Sequence, residues 1–367
     1  MKKRWMLLGF LLVTIAFTGI MIYIRADNNS AVRNFFLHSW HKNYVVEEKN
    51  LAYINTTPKQ EQVTVLSEGQ GYGMFIAAHD PAVKESNFAK LVQYYLKHRD
   101  RNTQLMAWRQ TKKNGKWSSE RNSATDGDLF IAKALFLAAK RWKKPAYQRQ
   151  GQKLIADILR YEYNPTTHAL TVGNWADSKS KYYNLMRTSD VLPTMFDQFY
   201  RESNDSRWLL IKKTMLKRLN QLSHQHKSGL VPDFAWLTSK DAKPVKGRVT
   251  TDRYDGDYYA NACRVPMDLA FSKDKLAKNT VHRLLKFFSK QNTITAGYTL
   301  KGKPVNNYQS ASFSAPIYIA VNENRNQGYD NLFASQQYIF AKKLPKNNYY
   351  DAALMTMATI LTPAHRF

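Results

Sequence analysis

The sequence predicts an all-α fold in one domain, preceded by a single membrane-crossing helix. Helical patterns follow one another from about residue 88 to residue 361 with turn signals between them. Alternating strand patterns are scarce and short. No Pro/Gly linker or low-complexity tract divides residues 40–367.

The elements are read from the N-terminus. Lys2, Lys3 and Arg4 precede an uncharged apolar run from Trp5 to Ile24, closed by Arg25. About twenty residues at ~1.5 Å each span roughly 30 Å, the thickness of a bilayer core. A cleavable signal has a shorter apolar region and an A-x-A-like site, and Ile24-Arg25-Ala26 is a poor one. Residues 1–25 therefore read as a membrane anchor, with a cleaved signal and a secreted protein as the alternative. The basic flank places the body outside the cell. Residues 26–39 read as a polar connector and 40–367 as the globular body.

Helices are expected at Phe88–His98, Asp128–Trp142, Tyr147–Glu162, Val191–Arg201, Trp208–His224, Leu276–Gln291 and Tyr349–Leu361. In 128–142 the apolar positions Leu129, Ile131, Ala132, Leu135, Phe136, Ala138, Ala139 and Trp142 cover a broad face, so that helix is packed on two sides. Leu170–Gly173 and Tyr298–Lys301 are the best strand patterns. They are too few for a parallel sheet with crossover helices. Stacked helical hairpins are the expected layout.

Three segments combine acids with glycines or turn residues at a helix start. In Ser67–Met74 (SEGQGYGM), Ser67 is an N-cap candidate that puts Glu68 in the first turn. Gly69, Gly71 and Gly73 each cost a helix about 1 kcal/mol relative to Ala, so something approaches this backbone closely. In Ser123–Trp142, Thr125 or Asp126 caps the apolar helix and Asp128 sits in its first turn, where the macrodipole favours carboxylates. Ordinary capping would produce the same pattern, but a cap at the mouth of a buried helix lines a cavity. Asp252–Ala270 (DRYDGDYYANACRVPMDLA) mixes acids, tyrosines and Arg264, which suits a sugar site or a solvated loop.

Composition bounds the partners. With 55 Lys and Arg against 28 Asp and Glu the net charge is +27, spread along the chain. No zinc-finger, RNP or basic-zipper pattern accompanies it, so nucleic acid is not expected. Anionic cell-wall polymers or lipid head groups are the counter-charges for an exported protein, or the basicity is general. The 22 Tyr, 18 Phe and 8 Trp fill a core and can also stack on sugar faces. Trp108, Trp117, Trp175 and Trp236 are candidate platforms. The single cysteine, Cys263, excludes an intramolecular disulfide framework. His224 and His226, at i and i+2, lie on different helix faces, and no metal or cofactor is expected. Nothing calls for a partner subunit.

Together the three segments resemble glycoside hydrolase family 8. SEGQGYGM is similar to its acid-bearing motif and ATDGDLFIAKALFLAAKRW to its signature. Ser228–Trp236 (SGLVPDFAW) and Ala262–Pro266 (ACRVP) look like two further landmarks in the right order. The resemblance implies an (α/α)6 barrel with a cleft where helix N-termini gather, and inverting hydrolysis of a β-1,4-linked polysaccharide. Cellulose-like and mixed-linkage glucan lead the candidates, with chitosan disfavoured by the basic surface. Carried over, Glu68 is the general acid and Asp126 positions the sugar on the non-reducing side of the cut. Asp128, Tyr72, Asn261, Arg264 and Tyr259 are binding candidates.

One position departs from the pattern. In the family's best-known subgroup the general base is an Asp three residues before the Arg of R-x-P, and here that position is Asn261. A loop carboxylate would have to replace it: Asp255 first, then Asp257 or Asp190, with Asp252 on the same loop. An inverting pair needs its carboxyls about 6.5–9.5 Å apart. Without such a base the fold would serve as a polysaccharide-binding protein, or, lacking a cleft, as a cationic wall component.

Overall fold

The computed structural model describes residues 2–362, apart from the side chains of residues 2–4, 8 and 24–28. The basic flank Lys2–Arg4, the 24–26 cleavage position and residues 363–367 of the expected body therefore lie outside the described side chains or residues.

Thirteen helices are present among the described residues: α1 (Lys2–Tyr44), α2 (Ser67–His79), α3 (Glu85–Lys97), α4 (Thr125–Trp142), α5 (Pro145–Tyr161), α6 (Pro193–Ser203), α7 (Arg207–His224), α8 (Val265–Ala270), α9 (Lys275–Phe288), α10 (Ala311–Glu323), α11 (Asp330–Gln336), α12 (Tyr338–Ala341) and α13 (Tyr349–Leu361). They alternate between two layers. The inner helices are α2, α4, α6, α8, α10 and α13, and the ring closes where α13 meets α2. The outer layer is α1, α3, α5, α7, α9 and the α11–α12 pair. This is an (α/α)6 barrel, as expected.

Helix α4 is buried on nearly every side, consistent with its broad apolar face. Helix α10 was not among the expected segments. It is apolar all round and carries Pro316 inside it, so it shows no amphipathic stripe to find.

Inner helices start at the cleft end, where the connections are long. The strands there are few and short, in four small antiparallel sheets: β1 (Val45–Glu48) with β2 (Leu51–Ile54); β3 (Val63–Leu66), β4 (Arg109–Lys113) and β5 (Lys116–Glu120); β6 (Tyr163–Asn164) with β7 (Ala169–Leu170); and β8 (Leu185–Arg187), β9 (Phe234–Leu237) and β10 (Ala242–Pro244). The expected strand at 170–173 shortens to β7, and 298–301 contributes only bridges at Tyr298 to Tyr258 and Pro304.

The stretch expected as a polar connector, 26–39, is helical and belongs to α1. Phe36, Leu37, Trp40 and Tyr44 are buried in the core. Arg33 Nε and Nη2 donate to the carbonyls of Thr359 and Ile360 at the end of α13, both at 3.1 Å. Tyr44 instead reaches Pro345, just before α13 begins. Helix α1 thus runs antiparallel to α13. Its apolar segment, Trp5–Tyr23, projects from the end of the barrel opposite the cleft.

Candidate active site

The starts of α2 and α4 pack so closely that side chains are excluded between them. A Cβ on Gly127 would lie 2.6 Å from the Ser67 carbonyl carbon, and one on Gly71 would lie 2.9 Å from the Gly127 carbonyl oxygen. This contact sets Glu68 and Asp126 side by side. The caps differ from expectation. Ser67 and Thr125 are already helical, after Leu66 and Ala124, and neither helix has a side-chain cap. The Thr125 hydroxyl instead donates to the Thr171 carbonyl at 2.7 Å, and Asp126 faces the site.

Arg264, immediately before α8 and 2% exposed, is the hub. Its Nη1 donates to Glu68 and to the Tyr72 hydroxyl (2.9 Å), its Nη2 to Asp126 (3.2 Å), Ser189 (2.5 Å) and Asn261 (3.1 Å). The Tyr349 hydroxyl, at the first residue of α13, donates to the other oxygen of Glu68. Arg187 pairs with Asp126 at 2.8 Å and with Asp190 at 3.5 Å. The starts of α2, α4, α8 and α13 therefore meet around Arg264 and Glu68.

The two carboxyls are driven apart in acidity. Burial pushes Glu68 up, Arg264 opposes this and Asp126 adds to it, leaving Glu68 above its ordinary value. Burial also pushes Asp126 up, but Arg187 and Arg264 outweigh it and hold Asp126 below its ordinary value. One acid favours the proton and its neighbour favours the charge. That is the division of labour an acid catalyst and a charge-stabilising sugar ligand require.

Comparison with known proteins gives the family. The family description "Glycosyl hydrolases family 8" fits residues 10–363. The chain belongs to glycosyl hydrolase family 8. A beta-glucanase of Niallia circulans is 30% identical over 296 residues, 74% of this chain and 71% of the relative. An endoglucanase of Bacillus sp. (strain KSM-330) is 29% identical, covering 83% and 70%. The solved apo structure of a beta-1,3-1,4-glucanase from Paenibacillus sp. X4 superposes with TM-score 0.84 over 93% of both chains at 24% identity, sharing the fold. As a family 8 member the chain is an inverting glycoside hydrolase.

The remaining residues anticipated for a family 8 site are distributed as follows. Tyr72 is fully buried and holds Arg264 rather than facing the cleft. Asp128 is also buried, accepting the Met106 N–H at 2.8 Å. It has no exposed surface to offer a sugar, and burial and then the nearby Glu162 push its carboxyl well up. Asp190 is 1% exposed behind Arg187, with burial raising it to about 7.

Asp255 is a correction. Its Oδ2 accepts the N–H groups of Val249, Thr250 and Thr251, and its Oδ1 accepts that of Asp252. A fully buried carboxylate tied in this way to four loop N–H groups shapes the loop and is closed to a water in the cleft. Asp257 is half-buried and accepts the Leu300 N–H at 3.3 Å, away from the hub. Asp252 accepts only the Tyr254 N–H, through Oδ1 at 3.1 Å. Its Oδ2 makes no hydrogen bond among the described residues.

The cleft beside the hub is a cavity of about 360 Å³ whose lining includes Trp108, Trp175, Tyr182, Arg187, Thr250 and Thr251. Trp108 and Trp175 therefore line this cavity. Trp236 stands one layer back, stacked on Tyr182 at 6.4 Å and 12°. Trp117 packs edge-on to Tyr53 at 5.3 Å and to Tyr94 at 5.8 Å on the barrel wall, which removes it as a platform. Tyr259 lies against Tyr254 and Phe313, outside this cavity.

Sequence reasoning missed Arg187, Ser189, Tyr349, Tyr182 and Asp233. Asp233 stood in the SGLVPDFAW landmark without a role. It is buried and accepts the N–H groups of Tyr259 (2.9 Å), Asn261 (2.9 Å) and Ala262 (2.7 Å), and the Asn261 amide at 3.2 Å. Burial outweighs these bonds and raises it to about 7. Asn261 thus bridges Asp233 and Arg264. An Asp at 261 would set two carboxylates against each other, which is a physical reason for Asn there.

Proposed function

We propose that the chain cuts β-1,4-linked glucan, cellulose-like or mixed-linkage, within the polymer and at the outer face of the cell membrane. The observation that carries the reading is the acid–charge pair on Arg264, with a raised Glu68 and a lowered Asp126 at the floor of an aromatic cleft. The endoglucanase and beta-glucanase names of the relatives support glucan as the polymer. Glu68 protonates the departing glycosidic oxygen. Asp126, kept charged by two guanidiniums, holds the sugar on the non-reducing side. The base is Asp252, the loop carboxylate that keeps an oxygen free and adjoins Thr251 in the cleft lining. It takes the proton from a water attacking the opposite face.

The apolar segment Trp5–Tyr23 supports retention in the membrane. Because it leaves the barrel opposite the cleft, the anchor holds the active site outward. About twenty residues of helix between Tyr23 and Tyr44 lift the cleft roughly 30 Å from the bilayer.

The deciding measurement is reducing-end release from β-glucans, chitosan and xylan by the full chain in detergent, beside Glu68→Gln. The expected outcome is glucan hydrolysis, lowered by about three powers of ten in Glu68→Gln with polymer binding retained. Equal turnover by the two proteins overturns the assignment. A second reading, a binding protein without a base, draws on Asn261. Glucan affinity with no release of reducing ends by the unaltered chain would decide for it.

A further inference from the structure

Around this cavity the charged and polar lining groups are cation, amide and hydroxyl, and the carboxylates of the cleft are those of the site already described. Arg187 is part of the lining, with Asn122, Ser123, Thr250 and Thr251 as the polar groups around the aromatic rings. Cations also lie over those rings. The Arg109 guanidinium is 5.8 Å from the Trp108 centroid, and Lys181 Nζ is 5.0 Å from that of Tyr182. Arg121, Lys181 and Arg248 are exposed, and each directly precedes a lining residue, Asn122, Tyr182 or Val249.

None of these three has an ion-pair partner among the described residues. A few basic groups elsewhere on the surface do: Lys90 with Glu47, Lys112 with Glu48, Lys212 with Asp197 and Arg207 with Asp205. Arg187 is paired with Asp126 and Asp190 and Arg109 with Glu120, so the uncompensated charge beside the cleft is that of Arg121, Lys181 and Arg248. Walls of low dielectric focus such a field into the groove. A neutral glucan needs stacking and hydrogen bonds alone, and it would desolvate these cations without returning a partner. An anionic polymer returns one, and guanidiniums match carboxylate and phosphate geometry.

We propose that the substrate is an anionic β-glucan, bearing carboxylate or phosphate groups that Arg121, Lys181 and Arg248 engage while the sugar rings lie on Trp108 and Tyr182. This deepens the glucan-hydrolase reading and rests on it for the backbone of the polymer.

The test compares carboxymethylcellulose, phosphorylated soluble cellulose and neutral hydroxyethylcellulose at matched substitution, using the full chain in detergent. Two readouts are taken: reducing-end release, and retention of the Glu68→Gln protein by each polymer in affinity gels. The expected kcat/KM on at least one anionic polymer exceeds that on the neutral one by about tenfold at low salt. The ratio should fall toward one at about 0.5 M salt, where screening shortens to a few ångströms. It should also fall toward one in the triple variant Arg121→Ala, Lys181→Ala, Arg248→Ala. Whichever of the two anionic polymers carries the preference tells carboxylate from phosphate. Equal rates on neutral and anionic polymers, or a ratio unchanged in the triple variant, overturn the proposal. Absent hydrolysis with anion-selective retention would overturn the glucan-hydrolase reading and leave the anion preference supported. Absent hydrolysis with equal retention would overturn both.

Discussion

Asp252 and Asp255 lie on one loop three residues apart, yet their carboxyls face opposite tasks. Asp255 spends both oxygens on the 249–252 backbone, so Asp255→Asn should lower the unfolding midpoint and raise KM as the loop loosens. Asp252 keeps an oxygen free, so Asp252→Asn should lower kcat by about a hundredfold or more with an unchanged midpoint. The reverse pattern in paired kinetics and thermal melts would return the base to Asp255. Beneath the site, burial raises Glu162 from 4.5 to about 8, while it accepts a hydrogen bond from Ser123. The folded chain binds this proton more tightly than the unfolded chain does. Its contribution to stability is therefore full below about 4.5 and is lost as pH climbs to about 8. Urea midpoints of Glu162→Gln should slope less than those of the unaltered chain across that window, and parallel slopes would contradict the assignment.

At the scale of elements, the α2–α4 contact positions the chemistry. Gly127 touches the backbone of Ser67, so Gly127→Ala must push the helix starts apart. We expect a loss of about 1–3 kcal/mol and a much larger proportional loss of kcat, because Glu68 and Asp126 move relative to Arg264. Melting and kinetics on the same preparation would show it, and full activity would mean the starts are more pliant than their spacing implies. The alternating glycines in SEGQGYGM made this close approach legible. The Ser67 and Thr125 caps misread the same residues, because both side chains turn into the protein instead of toward their helix ends. The β4–β5 hairpin carried a local signal at Asn114-Gly115, both at positive φ (49° and 75°). It was obscured because the flanking strands are mostly polar and exposed.

At the scale of the whole molecule, α1 ties the membrane segment to the barrel. Its last turns supply Phe36, Leu37, Trp40 and Tyr44 to the core, and Arg33 clamps the end of α13. Removing residues 1–25 should leave a soluble body that melts close to the full chain. Removing 1–44 should lower the midpoint by more than about 10 °C or prevent folding. Two truncations with the same midpoint would show that the packed part of α1 is dispensable. The all-helical class, the apolar segment and the position of Glu68 and Asp126 at two helix starts were legible in the sequence alone, because periodicity and short motifs act over a few neighbouring residues; which of the four candidate tryptophans line the cleft was not. Only the tertiary structure decided that Arg264 gathers five partners, that Tyr349 meets Glu68 across 281 positions, that Asp255 is tied to its loop while Asp252 is free, and that the cleft faces away from the anchor. Those are contacts between segments remote in the chain, and no local pattern encodes which remote groups will share a carboxylate's last lone pair.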